Sequence, residues 1–206
     1  MEYLDTYDEN KNFLGSEPRD KVHKLGLWHN TIHCWLYDTK GNVYFQKRKD
    51  SGTFYTTASG HVSAGESIKE GFGREIKEEI GIDIEYQNAI LVKSGIWKMD
   101  KKMPDGTTFK DRAFSNVYVC LVEEETIFKY DPVEVDGILK VRAQDALELF
   151  KKEEGKITAK LIYENDDKNN KTNCEVEFSG FLVNDHETAI GKYGYILDKI
   201  IELTSF

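Results

Sequence analysis

The segment from residue 60 to residue 82 constrains the fold of this chain more than any other stretch, and it reads GHVSAGESIKEGFGREIKEEIGI. Ser67 is followed three residues later by Glu70, a capping-box pattern that predicts a helix beginning near Ile68. Gly81 is placed to end this helix, because glycine readily adopts the left-handed conformation found just after a helix. The spacing therefore predicts one helix held between two loops.

Three glutamates of this helix lie on one narrow arc. At about 100° per residue, Glu75, Glu78 and Glu79 face the same way, beside an apolar stripe that runs from Ile68 to Ile80. Carboxylates at the border of a buried face repel one another and are costly to desolvate. A solvated acidic face is the simplest alternative, but a hard divalent cation that takes oxygen ligands removes both costs. The pattern therefore indicates a Mg²⁺ site that also meets a phosphorylated ligand.

Two glycines, Gly71 and Gly73, lie inside the predicted helix and lower its stability. Each costs up to about 1 kcal/mol relative to alanine. Close packing of the helix against a strand would explain both.

The full spacing, Gly-x5-Glu-x7-Arg-Glu-Ile-x-Glu-Glu-x-Gly-Ile, resembles at every fixed position the Nudix box, the signature of the Nudix hydrolase superfamily. The resemblance implies a loop–helix–loop site that binds a diphosphate with Mg²⁺ or Mn²⁺. It implies four metal ligands, namely the carbonyl of Gly60 and the carboxylates of Glu75, Glu78 and Glu79. It also implies that Arg74 orients the carboxylates and that Glu66 approaches the metal or the diphosphate. Arg74, Glu78 and Glu79 are the expected catalytic residues.

Strand-like runs flank the box on both sides. They are residues 1–15 (a hairpin), 26–38, 43–49, 84–97, 112–122 and 133–141. A helical pattern follows at residues 143–154. Strands mixed with two helices, without regular βαβ alternation, predict an α+β fold with a mixed sheet. The resemblance implies a Nudix-like α/β/α sandwich with the box helix packed on the sheet.

We predict two parts in the chain, a Nudix domain over residues 1–154 and a C-terminal extension over residues 155–206. In the extension, two strand-like runs surround the polar loop at residues 164–173 and predict a hairpin. Residues 187–203 carry apolar side chains at helical spacing, which predicts a terminal helix that packs on the domain.

Residues 3–150 resemble the branch of the superfamily that contains isopentenyl diphosphate isomerase and its hydrolase relatives. The likeness is carried by LGLWHNTIHCWLYDTKGNVYFQKR followed by GHVSAGES. Isomerases have a cysteine directly before this Gly-His pair, whereas this chain has Ser59, a much poorer acid or base at neutral pH. They also carry two metal-binding glutamates in the strand after the box, where this chain offers Asp111 alone. His29 and His61 do match the metal-site histidines of the isomerases.

These features favour a divalent-metal-dependent hydrolase that cleaves a diphosphate linkage in a small nucleoside-diphosphate-type compound. The alternatives are an isopentenyl diphosphate isomerase and a non-catalytic nucleotide-binding module, although such modules typically lose box carboxylates that this chain keeps. The general base stays open among four acids: Glu78, Glu79, Asp111 and Glu124. The expected substrate-binding residues are Glu66, His29, His61 and Arg48. The aromatic candidates for the substrate's second half are Trp28, Trp35, Phe54, Tyr55, Trp97 and Phe114.

The composition limits the partners of the chain. Its 206 residues carry a formal net charge of −9, which argues against a nucleic-acid polymer as partner because such binding depends on Lys and Arg. Neither a secretory signal pattern nor a long apolar run is present, so we expect a cytoplasmic protein without a membrane partner. Three scattered cysteines lack metal-ligand spacing and predict reduced thiols. A homodimer is the commonest assembly for such a chain.

Overall fold

The computed structural model describes residues 1–165, 168–183 and 189–205. Its helices are α1 (Arg19–Leu25), α2 (Ile68–Ile80), α3 (Ala143–Lys152) and α4 (Tyr195–Thr204). Its strands are β1 (Tyr3–Tyr7), β2 (Phe13–Pro18), β3 (His29–Tyr37), β4 (Asn42–Arg48), β5 (Phe54–Tyr55), β6 (Ala58–His61), β7 (Ala89–Lys102), β8 (Thr108–Leu121), β9 (Val135–Arg142), β10 (Lys156–Asn165) and β11 (Lys168–Glu177). Short 3₁₀ turns lie at Tyr86–Asn88 and Phe178–Gly180, and a π-helical turn at Ile190–Gly194 precedes α4.

One mixed sheet organises the described part of the chain. Seven of its strands follow the order β11-β10-β9-β4-β3-β8-β7, while β5 pairs with β4 and β6 pairs with β3. Strands β3 and β8 are parallel, and the remaining neighbours are antiparallel. The predicted N-terminal hairpin is β1–β2, which stands apart from this sheet. The α+β class with a mixed sheet is confirmed.

Helices cover both faces of the sheet, as the alternation of side chains along β3 requires. Trp35 and Tyr37 belong to the apolar cluster that α3 and α4 complete on one face. Cys34 and Leu36 belong to the cluster on the other face, where Phe72 of α2 is fully buried. Burial of a side chain of that size contributes about 1.5–3 kcal/mol. The result is the α/β/α sandwich, with the box helix α2 packed on the sheet.

The box helix begins and ends where the sequence predicts. The Ser67 hydroxyl accepts from the Glu70 N–H, and the Glu70 carboxylate accepts from the Ser67 N–H at 2.8 Å, which completes the capping box. Gly81 adopts φ 69°, and its N–H donates to the Lys77 carbonyl at 3.1 Å. These caps fix both loops of the box.

The two glycines inside the box helix differ in their surroundings. A Cβ at Gly71 would lie 3.2 Å from Cγ2 of Val62, so this glycine allows α2 to approach the chain that leaves β6. A Cβ at Gly73 would meet no atom within 4 Å. The prediction of close packing is therefore correct for Gly71 and wrong for Gly73.

The C-terminal part of the chain adds strands to the same sheet. Strands β10 and β11 form an antiparallel hairpin, and β10 also pairs with β9 through Leu161 and Leu139. In α4, Leu197 and Ile200 are fully buried in the cluster that includes Trp35. Residues 187 and 188 of the predicted terminal helix lie outside the described residues, and the division of the chain at residue 155 stays a prediction.

A buried ion pair fixes the β3–β4 turn. The Asp38 side chain is fully buried, and the Lys140 ammonium lies 2.7 Å from its carboxylate. The Tyr44 hydroxyl and the Asn42 side-chain amide also donate to this carboxylate. Burial alone would raise the pKa of Asp38, but the hydrogen bonds from Lys140 and Asn42 outweigh it, so that the pKa lies below its usual value.

Removal of the buried Asp38 carboxylate should strongly destabilise the fold. Asp38→Ala leaves the Lys140 ammonium without its partner, and we expect the free energy of unfolding to fall by about 3–5 kcal/mol in urea titrations at pH 7. Because its folded pKa is lowered, the contribution of Asp38 is present above about pH 4 and is lost as the pH falls further. Asp83→Ala, which removes an exposed partner of Lys77, is the control and should change little. Equal stability of the two variants would contradict the prediction.

Candidate active site

At one position of β6, Gly60, an added side chain would meet the carboxylate of a glutamate on the box helix. A Cβ built on Gly60 would lie 2.1 Å from Cδ of Glu75. Gly60 is not among the glycines with positive φ, so the need for glycine comes from this contact and not from backbone conformation. The Glu75 carboxylate therefore lies directly beside the Gly60 backbone, as the box pattern predicts for two groups that share a cation.

Arg74 ties the acids of the box together. Its guanidinium binds Glu66 in a bidentate manner, at 2.8 and 2.9 Å. The same side chain donates to Glu75 at 2.9 Å and to Glu78 at 3.0 Å. It also donates to the His61 carbonyl at 2.9 Å. This network places Arg74 where it can orient the carboxylates, the role that the box pattern predicts for it.

Glu79 is the most buried acid of the box, with 8% of its surface exposed. Its carboxylate accepts from the Ser59 N–H at 2.8 Å and from the Gln46 amide at 3.1 Å. Burial raises the pKa of Glu79 to about 8, and the charge of Glu75 adds to the effect, although the Ser59 hydrogen bond opposes it. Burial likewise raises the pKa of Glu75 to about 7.

The donor set suits a hard divalent cation. Glu75, Glu78 and Glu79 offer carboxylate oxygens, and the Gly60 backbone adjoins one of them. The pKa values of Glu75 and Glu79 are raised because both carboxylates are buried and lie close to other acids. A bound cation would favour their ionised forms. We conclude that the residues present fit Mg²⁺ or Mn²⁺.

The box acids open into a cavity of about 840 Å³. That volume falls within the range of about 300–1,000 Å³ that is usual for small-molecule sites. Of the six aromatic candidates, Trp35, Tyr55 and Trp97 line the cavity. The ring of Trp28 instead stacks on Phe114 at 5.0 Å, and Phe54 is packed against Phe181.

The predicted substrate-binding residues fall into different environments. Arg48 lines the cavity and forms a bidentate pair with Asp50, at 2.9 and 3.0 Å. Glu66 is not among the lining residues, because its carboxylate is taken by Arg74 and by the Ser63 N–H. His61 also lines the cavity.

His29 and His61 join His23 in a cluster whose ligand nitrogens all lie within 4.8 Å of one another, hereafter the histidine cluster. The Nδ1–H of His23 donates to the Arg19 carbonyl and that of His29 to the Leu27 carbonyl, each at 3.0 Å. Since a carbonyl only accepts, the Nε2 atoms of both rings carry lone pairs.

The two lone pairs differ in what they face. Nε2 of His23 lies 3.2 Å from Nε2 of His61 and accepts a hydrogen bond from it when His61 carries its proton on Nε2. Nε2 of His29 lies 3.4 Å from Oδ1 of Asp111, and both atoms are buried without a hydrogen-bond partner among the described residues. Burial lowers the pKa of His23 to about 4 and that of His61 to about 2, so the rings are neutral at pH 7, the form that binds metals. The histidine cluster with Asp111 therefore fits a transition-metal ion, with backbone carbonyls that fix the tautomers.

Sequence reasoning missed His23 of the histidine cluster and Glu134 of the cavity, and it misplaced Glu124. His23 lies on α1 and carries no motif beyond standing six residues before His29. Glu134 lines the cavity, and its charge contributes to the raised pKa of Glu79. Glu124, considered as a base, instead pairs with Lys40 at 2.7 Å and is not among the lining residues. Glu134 lies on a late loop that meets an early strand, and no local sequence pattern predicts such a contact.

A comparison with protein families decides what kind of chain this is. The family model described as the NUDIX domain matches residues 27–163, more than half of the chain. The chain belongs to the Nudix family. An uncharacterised Nudix hydrolase of Clostridium acetobutylicum is 34% identical to it over 153 residues, which cover 70% of this chain and 71% of that protein. Isopentenyl-diphosphate Delta-isomerase 2 of Photorhabdus laumondii is 30% identical over 150 residues, covering 69% and 81%.

A solved structure agrees with the Nudix fold. The crystal structure of DR0079 from Deinococcus radiodurans superposes with a TM-score of 0.53 at 19% identity, and covers 73% of this chain and 90% of that one. The family and the relatives support a Nudix hydrolase that acts on a small molecule containing a pyrophosphate. Within the described residues, every helix is too short or too polar to cross a lipid bilayer.

The contact between Gly60 and Glu75 leads to a mutational prediction for this Nudix hydrolase. Gly60→Ala should lower kcat roughly 100-fold, because the added methyl must displace the Glu75 carboxylate by an ångström or more. Gly73→Ala adds a methyl in the same box where nothing lies within 4 Å, so activity should be unchanged and stability should rise by up to about 1 kcal/mol. Kinetics and urea unfolding of both variants test this, and full activity of Gly60→Ala would show that Glu75 moves without consequence.

Proposed function

We propose that this chain hydrolyses the diphosphate linkage of a small nucleoside-diphosphate-type compound with Mg²⁺ or Mn²⁺ as its cofactor. One observation carries the proposal: three box carboxylates, Glu75, Glu78 and Glu79, line the same cavity of about 840 Å³. A family whose members act on pyrophosphates, together with a cavity large enough for a nucleotide, makes this the reaction class that the site supports best.

The cation would be held by the carboxylates of Glu75, Glu78 and Glu79 and by the Gly60 carbonyl. When bound, it supplies a Lewis acid for a phosphoryl oxygen and lowers the pKa of water. Arg74 holds Glu75 and Glu78 in position through its two hydrogen bonds. In the reaction, a water oxygen forms a bond to one phosphorus while the bond from that phosphorus to the bridging oxygen breaks. The bridging oxygen leaves with the second phosphoryl half.

A carboxylate must take the proton of the attacking water. Glu78, Glu79 and Asp111 line the cavity and remain candidates for this general base, and Glu134 joins them from the loop before β9. Glu134 is exposed, whereas Glu79 is buried and hydrogen-bonded to Ser59 and Gln46. Glu134 is therefore free to move toward a water in a way that Glu79 is not, and we favour Glu134 as the base.

The experiment is a hydrolysis panel with purified protein. Nucleoside diphosphates, sugar nucleotides, dinucleotides and coenzyme A are each incubated with Mg²⁺, with Mn²⁺ and with a chelator, and the phosphorylated products are quantified. We expect cleavage of one class that stops with chelator. Absence of metal-dependent cleavage across all classes would refute the proposal.

The histidine cluster favours a second candidate, an isopentenyl diphosphate isomerase. Relatives named as such isomerases match this chain, and His29 and His61 correspond to isomerase metal-site residues in the resemblance. Ser59 opposes it, because a hydroxyl is a poor acid or base at neutral pH compared with the thiol that isomerases use. Conversion of isopentenyl diphosphate by the wild type, lost in Ser59→Ala, would reverse the ranking.

A further inference from the structure

A buried amide lies on β4 at a position where the surroundings favour an apolar side chain. Gln46 is 1% exposed. Because side chains alternate along a strand, Gln46 shares the face of Tyr44, which belongs to the apolar cluster around Phe72 of the box helix. Its register partner on β9 is Ile138, a fully buried member of the same cluster. An amide in such surroundings costs free energy unless it is hydrogen-bonded, so its partner matters.

The partner of this amide is the most buried acid of the box. Nε2 of Gln46 donates to Oε2 of Glu79 at 3.1 Å, and the Ser59 N–H donates to the same oxygen at 2.8 Å. Within residues 1–165, 168–183 and 189–205, no hydrogen bond reaches Oε1 of Glu79. Two donors on one oxygen fix the orientation of the carboxylate and leave Oε1 available to a ligand. Glu79 lines the cavity, whereas Gln46 is not among the lining residues.

The donors to Glu79 differ in charge from the donor that holds the other box acids. Arg74 donates to Glu75 and Glu78, and in the described part of the chain it forms no ion pair with Glu79. A guanidinium partly neutralises the carboxylates that it binds, because it carries a full charge. An amide and a backbone N–H are neutral, so they orient Glu79 and leave its charge for a cation.

We propose that Gln46 is a positioning residue for the box cation, because it turns Glu79 so that Oε1 serves as the ligand atom. This inference rests on the proposed function and deepens it. It adds to the metal site a residue outside the segment from residue 60 to residue 82, on a strand that lies 33 residues from Glu79 in sequence.

The test is a titration with Mn²⁺ in the absence of substrate, followed by electron paramagnetic resonance of the free ion. The box site is identified as the site that Glu79→Gln weakens. Gln46→Met keeps the length of the side chain and removes the donor. It should weaken Mn²⁺ binding at this site by roughly 10–100-fold, which is the usual cost of losing a partner that orients a ligand.

A double variant separates positioning from a structural role. In the Glu79→Gln background the charged ligand is already lost, so Gln46 has no carboxylate left to orient. Adding Gln46→Met to Glu79→Gln should therefore change the Mn²⁺ affinity by less than about twofold, far less than it does in the wild type. Additive losses would show that Gln46 affects the site without acting through Glu79.

Tyr44→Phe is the matched control. Tyr44 lies two residues before Gln46 on the same strand, is also 1% exposed, and donates to the Asp38 carboxylate at 3.0 Å. The variant therefore also removes one neutral donor from a carboxylate, but that carboxylate lies outside the box. It should lower the free energy of unfolding, measured in urea, and leave the Mn²⁺ affinity of the box unchanged.

Four outcomes would overturn the inference. They are wild-type Mn²⁺ affinity in Gln46→Met, additive losses in the double variant, an equal loss of affinity in Tyr44→Phe, and a wild type without a Mn²⁺ site that Glu79→Gln weakens. Failure of the proposed function is separate, because it shows as absent metal-dependent cleavage across the hydrolysis panel while Mn²⁺ binding still responds to Gln46→Met.

Discussion

Glu79→Gln should reduce kcat for diphosphate hydrolysis by roughly 10³-fold while the protein stays folded. In the proposed mechanism, the variant loses a charged ligand for the cation. A cation stabilises a phosphoryl transition state by several kcal/mol, and a loss of about 4 kcal/mol corresponds to this factor. The isosteric amide can still accept from the Ser59 N–H, the contact that holds Glu79 at 2.8 Å. The fold should therefore survive, and the loss should lie in kcat and in the metal concentration needed for activity.

The control for this change is a glutamate just beyond the same helix. Glu85 is exposed and is not among the residues that line the cavity, so Glu85→Gln should retain wild-type kinetics. Titration of activity with Mg²⁺ and Mn²⁺, alongside urea unfolding, separates loss of a ligand from loss of structure. If Glu79→Gln kept wild-type activity at low metal concentration, Glu79 would have no place among the ligands.

Local patterns predicted the box, because the contacts that fix it are close in sequence. The capping box of Ser67 and Glu70 and the closing Gly81 act within one helix, so their spacing alone determined both ends. Gly60 and Arg74 were assigned through the resemblance. Both contact Glu75, and their roles stay predictions. Gly73 shows the limit of this reasoning, because no neighbour explains its lack of a side chain.

The rest of the site depends on pairings between distant segments, which a single sequence does not reveal. His23 reaches His61 because α1 packs on β8, where the His23 ring stacks on Phe109, and β8 lies beside β3, with which β6 pairs, although 38 residues separate the two histidines. Lys192 reaches Tyr55 because the C-terminal part folds back over the sheet face that carries Trp35. Neither residue belongs to a local pattern, so the sequence could identify the box but not these two contacts.

The histidine cluster should bind one transition-metal ion independently of the box. Nε2 of His23, Nε2 of His29 and a nitrogen of His61 converge within 4.8 Å, and the backbone carbonyls of Arg19 and Leu27 fix the tautomers. In a Glu79→Gln background, calorimetry with Co²⁺ or Zn²⁺ should still detect one site. Loss of a partner that merely orients a ligand typically costs 10–100-fold in affinity, so loss of a ligand itself, in His23→Gln or His61→Gln, should cost at least roughly 100-fold.

His33→Gln is the control for that measurement, because His33 is a neutral histidine of the same cavity that lies outside the histidine cluster. It should leave the affinity for Co²⁺ unchanged, together with the visible absorption bands of the bound ion.

The effect of His23→Gln on hydrolysis also shows which of the two candidate metal sites carries the reaction. If His23→Gln removes the second ion but leaves diphosphate hydrolysis intact, the box alone carries the reaction. If hydrolysis falls with the ion, Asp111, 3.4 Å from His29, becomes a ligand of the working centre. If His23→Gln binds Co²⁺ as tightly as the wild type, the three histidines are only a buried polar cluster.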